Sequence, residues 1–298
     1  MLEDVGVTRP VVVVGDVAVD VLVRPAGDVQ SGTDTAARVR IAGGGAGANT
    51  AAWLAHLGVP VMLVARVGAD AAGREQAEAL AHLGVRCAFT VDPDSPTGTV
   101  VAVIAPDGER AMLTDRGANE RLRPVDLPPL PAGAHLHLSG YVLLHEGSRP
   151  AGLAALEAAR RAGLTISVDP ASTAPLTAAG PGAFVAWTRG ADLLLPNLPE
   201  ARLLSGREDP ADAARALALD YGAVAMTLGA AGALWAGAGE LVRLAAPSAQ
   251  VIDSTGAGDA FSAGLLAAWL RGGRGAPALR SGMEQACEVL ARLGARPV

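Results

Sequence analysis

The chain of 298 residues contains no lysine; all 24 of its basic residues are arginine. That absence excludes a Walker-A lysine, the strand lysine of protein kinases and any lysine Schiff base. If phosphate is handled, backbone amides, arginine or a metal must do it. Cysteine is scarce as well: Cys87 and Cys287 are far apart and make neither a disulfide framework nor a metal knuckle. Aromatic residues are 3% of the total, too few to stack a run of nucleic-acid bases, although one ring could still cover a purine. Apolar runs such as 11–14 and 265–270 fall far short of the roughly 20 residues that span a bilayer. Residues 1–10 carry Glu3 and Asp4 where a signal peptide would have an apolar core. A net charge of −6 offers no basic surface to nucleic acid or to an anionic membrane. The expectation is a cytoplasmic protein with neither as partner.

What the chain does have is apolar mass. Half of it is hydrophobic and 18% is charged, which excludes disorder and suits one large α/β domain or two modest ones. Short β-branched runs at 11–15, 61–67, 135–139, 164–169, 192–196 and 223–228 read as strands. Ala/Leu-rich stretches at 46–57, 71–83, 149–162, 210–221, 259–271 and 277–293 read as helices. The alternation predicts a mostly parallel sheet with helices on both faces. Two segments, 17–41 and 97–115, break that rhythm and read as β structure without helices between. In the second, Pro106-Asp107-Gly108 marks a hairpin turn. Two such excursions could pair as a small β lid over the mouth of the sheet.

The strongest motif is Asp253-Ser254-Thr255-Gly256-Ala257-Gly258-Asp259, running into a helix. Gly256 and Gly258 let backbone N–H groups converge on one hollow at a helix N-terminus, where orphan donors and the dipole favour an anion. Asp259 falls in the first turn. A carboxylate beside an anion hollow is what phosphoryl transfer to an alcohol needs: the base takes the hydroxyl proton and the amides hold charge on the moving group. The same residues also read as a capped helix after a glycine turn, and the residues alone leave both open.

Gly43-Gly44-Gly45-Ala46-Gly47-Ala48-Asn49 opens another helix. Glycines allow close backbone approach, and Asn49 offers donor and acceptor to a polyol. The stretch also fits a relaxed dinucleotide fingerprint, the signature of an NAD(P) oxidoreductase, with Arg66 or Asp70 about 20 residues on. Asn197-Leu198-Pro199-Glu200 follows a strand end, where an amide and a carboxylate could hold hydrated Mg²⁺ against a triphosphate; it equally reads as a capping box. Thr227-Leu228-Gly229-Ala230-Ala231-Gly232 is a strand end opening into glycines, suited to nucleotide phosphates or to a simple turn. Asp16 and Asp20, four apart in extended chain, share a face and could grip sugar hydroxyls. His135 and His137 share a strand face, where they bind a metal or simply pack and hydrogen-bond. His145, Glu146 and Asp169 follow strand ends near the expected mouth.

Together, in this order and over nearly the whole chain, these motifs resemble the PfkB family of carbohydrate kinases. GGGAGAN is similar to the family's first signature and DSTGAGDAFSAG to its second; PNLPE resembles its N-x-x-E motif and TLGAAG its nucleotide loop. The resemblance implies a ribokinase-like three-layer α/β/α fold with a mostly parallel central sheet and a small β-sheet lid. Core and lid would divide as 1–16, 44–96 and 119–298 against 17–43 and 97–118. It implies ATP-dependent phosphorylation of a hydroxymethyl group, with Mg²⁺. Asp259 would be the base, with Gly256, Ala257 and Gly258 as anion hole. Asn197, Thr227, Gly229 and Gly232 would serve the nucleotide, and Glu200 would organise Mg²⁺ through water. Asp16, Asp20, Gly44, Gly45 and Asn49 would hold the substrate. The final ARLGAR is similar to the family stretch that shapes a monovalent-cation site beside Asp253, which makes K⁺ a candidate activator. Lid strands with open edges suggest a homodimer through the lid.

Two departures bear on the acceptor. Ala18 replaces an asparagine with which ribokinases grip ribose, which argues against strict ribokinase activity. Arg116, after the last lid strand, could pair with an acidic or phosphorylated substrate or be a solvated charge. A sugar or sugar-like alcohol leads as acceptor. A nucleoside and a sugar acid of the 2-keto-3-deoxygluconate type are the alternatives.

Overall fold

The computed structural model describes residues 9–104 and 110–297, with residue 110 described by its backbone alone. The expected turn at Pro106-Asp107-Gly108 lies outside the described residues. Two sheets account for all the labelled strands. The large one contains β1 (Val11–Val14), β4 (Val61–Gly68), β5 (Arg86–Asp92), β8 (His135–Ser139), β9 (Thr165–Asp169), β10 (Leu193–Leu194), β11 (Ala223–Thr227), β12 (Ala233–Gly237) and β13 (Glu240–Leu244). Its order is β13-β12-β11-β10-β9-β8-β1-β4-β5, with every pairing parallel except the two made by β12, which runs against the rest. The small sheet contains β2 (Ala18–Pro25), β3 (Ala37–Gly44), β6 (Gly98–Ile104) and β7 (Arg110–Asp115), in the order β3-β2-β6-β7.

The helices are α1 (Ala46–His56), α2 (Ala71–His82), α3 (Tyr141–Leu144), α4 (Arg149–Arg161), α5 (Thr173–Ala179), α6 (Pro181–Thr188), α7 (Leu198–Ser205), α8 (Pro210–Leu217), α9 (Ala257–Leu270) and α10 (Gly275–Leu290). Their placement follows from strand alternation. Val11 and Val13 of β1 face one apolar core with residues of α1, α2, α9 and α10; Val12 and Val14 face a second with residues of α3 to α8. A strand buried on both faces can be uniformly β-branched, and β1 is four valines. The result is a helix–sheet–helix sandwich.

The structure adds elements that the sequence pattern does not announce. β5 was not expected. β10 shrinks from the expected 192–196 to two residues, its alignment kept by an isolated bridge between Asn197 and Thr227. β12 and β13 form a hairpin whose two loop residues, Ala238 and Gly239, both have positive φ (49° and 78°), as a tight primed turn requires. Alanine in that position hides the turn, because the usual Asn-Gly signal is missing.

Trp53 of α1 is fully buried and its indole N–H donates to the Ala295 carbonyl at 2.8 Å. Replacing it with alanine is expected to cost about 3–5 kcal/mol of unfolding free energy. Urea denaturation checks this; a loss near zero would mean that the C-terminal segment is not packed on α1.

Candidate active site

The parallel strands end on one edge, and chain leaving five of them lines a single cavity of about 210 Å³. Asp16 follows β1, Tyr141 follows β8, Asp169 ends β9, Asn197 follows β10 and Thr227 ends β11. This is the crevice where open α/β sheets gather ligand-binding groups. The small sheet supplies another wall through Asp20, Val100, Met112 and Thr114.

Helix α9 points its N-terminus at this cavity. Its N-cap, Gly256, has φ of 77°, and a Cβ there would stand 2.6 Å from the Ala295 Cβ. Only glycine satisfies both the left-handed backbone and that packing. Gly258 lines the cavity, and a Cβ on it would meet no protein atom within 4 Å. The space beside this backbone is open to the cavity. The Ala257 N–H donates a long bond to Ser254 O at 3.4 Å. Asp259 sits in the first turn and accepts from Asn49 Nδ2 at 2.8 Å, a contact spanning 210 residues of sequence. Burial pushes the Asp259 carboxyl well above 3.8; the Asn49 bond opposes this, and Asp169, Asp16 and Asp20 reinforce it.

The other expected residues fall into two groups. Asp16, Asp20, Gly45, Asn49, Arg116, Asn197, Glu200 and Thr227 line the cavity. Gly44, Asp253, Ala257, Gly229 and Gly232 lie outside its lining. Gly44 packs against Asp20: a Cβ there would stand 2.6 Å from Asp20 Oδ2. Gly229 and Gly232 shape the turn between β11 and β12, and a Cβ on Gly232 would press on the backbone of Leu244 to Ala246. Asp253 accepts from Thr255 N and Oγ1 (2.9 and 2.7 Å) and from Gly294 N (3.1 Å).

Several side chains do more local work than their spacing suggests. Asp16 caps α1, accepting from Ala46 N and Gly47 N (3.3 and 3.1 Å), and also receives Ser139 Oγ and Arg116 Nη1. Arg116 is no solvated charge: it bridges to Asp16 at 3.1 Å and lies over the Tyr141 ring, 3.5 Å from its centroid. Asn197 and Glu200 form the full capping box. Asn197 Oδ1 accepts from Glu200 N, and both Glu200 oxygens accept from Asn197, from N at 2.9 Å and from Nδ2 at 2.7 Å. His135 and His137 share Ser167 Oγ at 2.7 and 2.8 Å, and burial lowers them to about 3 and about 4. They are neutral, packed core histidines. His145 pairs with Glu120 at 3.2 Å.

One residue beside the cavity was noted in the sequence only as the end of the ARLGAR stretch, with no role of its own. Arg296 reaches from the C-terminus to Asn49, Gln76 and Gly44. No local pattern marks it, because its partners lie on three distant elements.

The carboxylates around the cavity outnumber their cations. Burial and neighbouring charge raise Asp20 and Asp169 to about 6 and Glu200 to about 8. Among the described residues no group of three or more His, Cys, Asp or Glu could hold a metal. A cation here would share its shell with water or substrate oxygens, as Mg²⁺ commonly does.

These shifts set a pH dependence. A carboxylate raised on folding keeps in the native state a proton that the unfolded chain has released, so stability falls as pH rises through the raised value. The core histidines act oppositely, but only below their ordinary 6.5. Between pH 6.5 and 8 Glu200 sets the slope, Asp259, also raised by burial, acts in the same sense, and the unfolding free energy of the ligand-free protein is expected to fall across that window. Denaturant titrations at both ends check this; a rise would contradict a protonated Glu200.

Comparison with known proteins agrees with this fold. A model of the pfkB family carbohydrate kinases matches residues 8–298. A fructokinase of Klebsiella pneumoniae is 33% identical over 263 residues, covering 86% of this chain and 82% of that one. The crystal structure of adenosine kinase from Sinorhizobium meliloti superposes with a TM-score of 0.88 over 98% of this chain and 97% of that one, at 25% identity. A fructokinase double mutant from Vibrio cholerae O395, solved with fructose, ADP and potassium ion, gives 0.80 over 97% and 94%, at 26% identity. The fold is the ribokinase-like α/β fold that the motifs imply. Among the described residues no helix is long and apolar enough to cross a membrane. Matched from residue 8 to its end, and built like solved kinases, the chain belongs to the pfkB family of carbohydrate kinases, phosphotransferases that act on sugar hydroxyl groups.

Proposed function

We propose that the protein transfers the γ-phosphoryl group of ATP to a hydroxymethyl group of a small sugar or sugar-like alcohol. One observation carries this reading: Asp259, oriented by Asn49 at 2.8 Å, stands in the first turn of α9 beside cavity-facing glycine backbone. The hydroxyl proton passes to Asp259, and the oxygen so activated attacks the γ-phosphorus as the bond from that phosphorus to the β,γ-bridging oxygen breaks and ADP leaves. The backbone at 256–258, with the dipole of α9, holds the charge that develops on the phosphoryl oxygens. That division of labour suits a chain without lysine.

Asp20, Gly44, Gly45 and Asn49 bind substrate hydroxyls in this reading, and Asp16 supports them by holding α1. Asn197, Thr227, Gly229 and Gly232 serve the nucleotide. Mg²⁺ fits the acidic surplus near Asp169 and Glu200. Both Glu200 oxygens are engaged by Asn197, so Glu200 would meet the ion through water. Mg²⁺ supplies charge neutralisation at the phosphates. K⁺ belongs in the loop held by Asp253.

Arg116 bears on the acceptor. A sugar acid would need its charge, which Asp16 already engages at 3.1 Å, and a nucleoside base would find one face of Tyr141 covered by the guanidinium. Both facts favour a neutral sugar. ADP release with ATP·Mg²⁺, across pentoses, hexoses, sugar acids, sugar phosphates and nucleosides, with and without K⁺, tests the reading. Acceptor-dependent release with a neutral sugar supports it. Release with nucleosides or acids alone would correct the substrate, and folded protein that neither binds ATP nor turns over would overturn it.

The small sheet, 17–43 and 97–118, acts as the lid in this reading and also as the dimer contact. Register puts Val21, Val23, Val39, Ile41, Val101, Val103 and Leu113 on the face opposite Asp20 and Met112. Val39, Ile41 and Leu113 are exposed at 61%, 71% and 64%, and such a face invites a second copy. Sedimentation is expected to show a dimer that Ile41→Glu dissociates; a wild-type monomer would contradict this.

A further inference from the structure

The C-terminal residues 294–296 touch both halves of the site. Gly294 N donates to Asp253, and Ala295 packs against Gly256 while its carbonyl accepts from Trp53. Arg296 then turns inward, and its three nitrogens reach three elements. Nε donates to Asn49 Oδ1 on α1 at 3.1 Å. Nη1 donates to Gln76 Oε1 on α2 at 2.8 Å, and Nη2 to the Gly44 carbonyl of β3 at 2.6 Å. Each acceptor is neutral. The planar fork of a guanidinium reaches such divergent acceptors where a single ammonium reaches them poorly.

The bond to Asn49 has a chemical consequence. A side-chain amide can face a neighbour with its oxygen or its NH₂, and surroundings choose between the two. Arg296 only donates, so Asn49 must present Oδ1 to it. Nδ2 is thereby turned to Asp259 Oδ2. Without a donor-only group at this place the amide could turn over and set its oxygen against the carboxylate. The glycine loop is built around the same side chain: a Cβ on Gly43 would stand 2.6 Å from Arg296 Cζ.

We infer that Arg296 is a positioning residue, which fixes the orientation of Asn49 toward Asp259 and ties α1 to strand β3 through Gly44. The inference rests on Asp259 being the base. Arg296 itself does not line the cavity, so it acts through Asn49 and not on substrate.

The test compares Arg296→Gln, whose amide can accept as well as donate, with Arg296→Lys, which still only donates. Arg296→Gln is expected to lower kcat by about 10²-fold, the order expected when a reacting group is misplaced by an ångström. KM for ATP should stay unchanged, and the acid limb of the pH–kcat profile should move to higher pH. The limb moves because Asp259 loses the Asn49 N–H and the Arg296 charge, while its other charged neighbours, Asp16, Asp20 and Asp169, stay in place. Arg296→Lys, which can still donate to Asn49 Oδ1 but not to all three acceptors at once, is expected to recover part of the loss and to restore the acid limb. Gly43→Ala, which crowds the guanidinium and its partner Gln76 Oε1 without removing the charge, is expected to lower kcat by itself and to add less than its full effect to Arg296→Gln. Wild-type kcat and acid limb in both Arg296→Gln and Gly43→Ala, with Asp259→Asn inactive, would overturn the inference and leave the base standing. Wild-type turnover in Asp259→Asn would overturn the base and the inference with it. Should Arg296→Gln fail to fold, Gly43→Ala and Arg296→Lys decide: a Gly43→Ala protein no slower than wild type sinks the inference.

Discussion

Asparagine in place of Asp259 is expected to lower kcat by about 10²–10⁴-fold while ATP affinity is retained. The substitution keeps size and keeps a partner for Asn49, so the hydrogen bond at 2.8 Å can be replaced by an amide–amide contact. What is lost, in the mechanism proposed above, is the acceptor for the hydroxyl proton. Burial also makes the wild-type protein depend on pH in a definite sense. Asp259 is held well above the ordinary carboxylate value, so the base is protonated, and turnover lost, as pH falls through that raised value. The asparagine variant should lack this limb. Initial rates across pH, with nucleotide binding measured by calorimetry, check both parts. Unchanged turnover would remove Asp259 from the mechanism, and loss of nucleotide binding would give it a different role.

The second large effect is expected at Gly256. Alanine there meets two obstacles. The left-handed backbone at φ of 77° costs a residue with a Cβ about 1–2 kcal/mol. The new methyl would also stand 2.6 Å from the Ala295 Cβ and 2.8 Å from its carbonyl oxygen. Either the first turn of α9 or the C-terminal segment must shift. In the mechanism proposed above, shifted amides would no longer converge on the phosphoryl group, and losing one such donor costs about 10²–10³-fold in kcat. Gly256→Ala is therefore expected to lose both stability and turnover. Gly258→Ala separates the two effects, because its methyl meets no protein atom within 4 Å and lines the cavity. It should melt like wild type yet turn over more slowly. Urea titration beside kcat checks the pair; a fully active Gly256→Ala would show that this turn does not hold the phosphoryl group.

How much of this was legible in the sequence depended on range. The glycine turn before Asp259 and the alternation of strands and helices are local, and they read directly. The helix starts at Ala257 rather than 259, which places Asp259 in its first turn all the same. The Asn197–Glu200 pair was equally local: it is a complete capping box, and it also lines the cavity. The two-residue β10 fell short because its neighbours β9 and β11, and not its own residues, define it. Arg116 could not be placed from sequence, because its partner Asp16 is 100 residues away. Arg296 falls within the ARLGAR stretch, but its contacts could not be read there: its bond to Asn49 spans 247 residues, and only the assembled fold brings them together.

The most direct test of the central claim is phosphorus NMR of the product formed from ATP·Mg²⁺ and the best acceptor. The expected spectrum shows a phosphate monoester coupled to the two protons of a CH₂ group, formed by wild-type protein and not by Asp259→Asn. Inorganic phosphate alone, released at a rate indifferent to the acceptor, would contradict it.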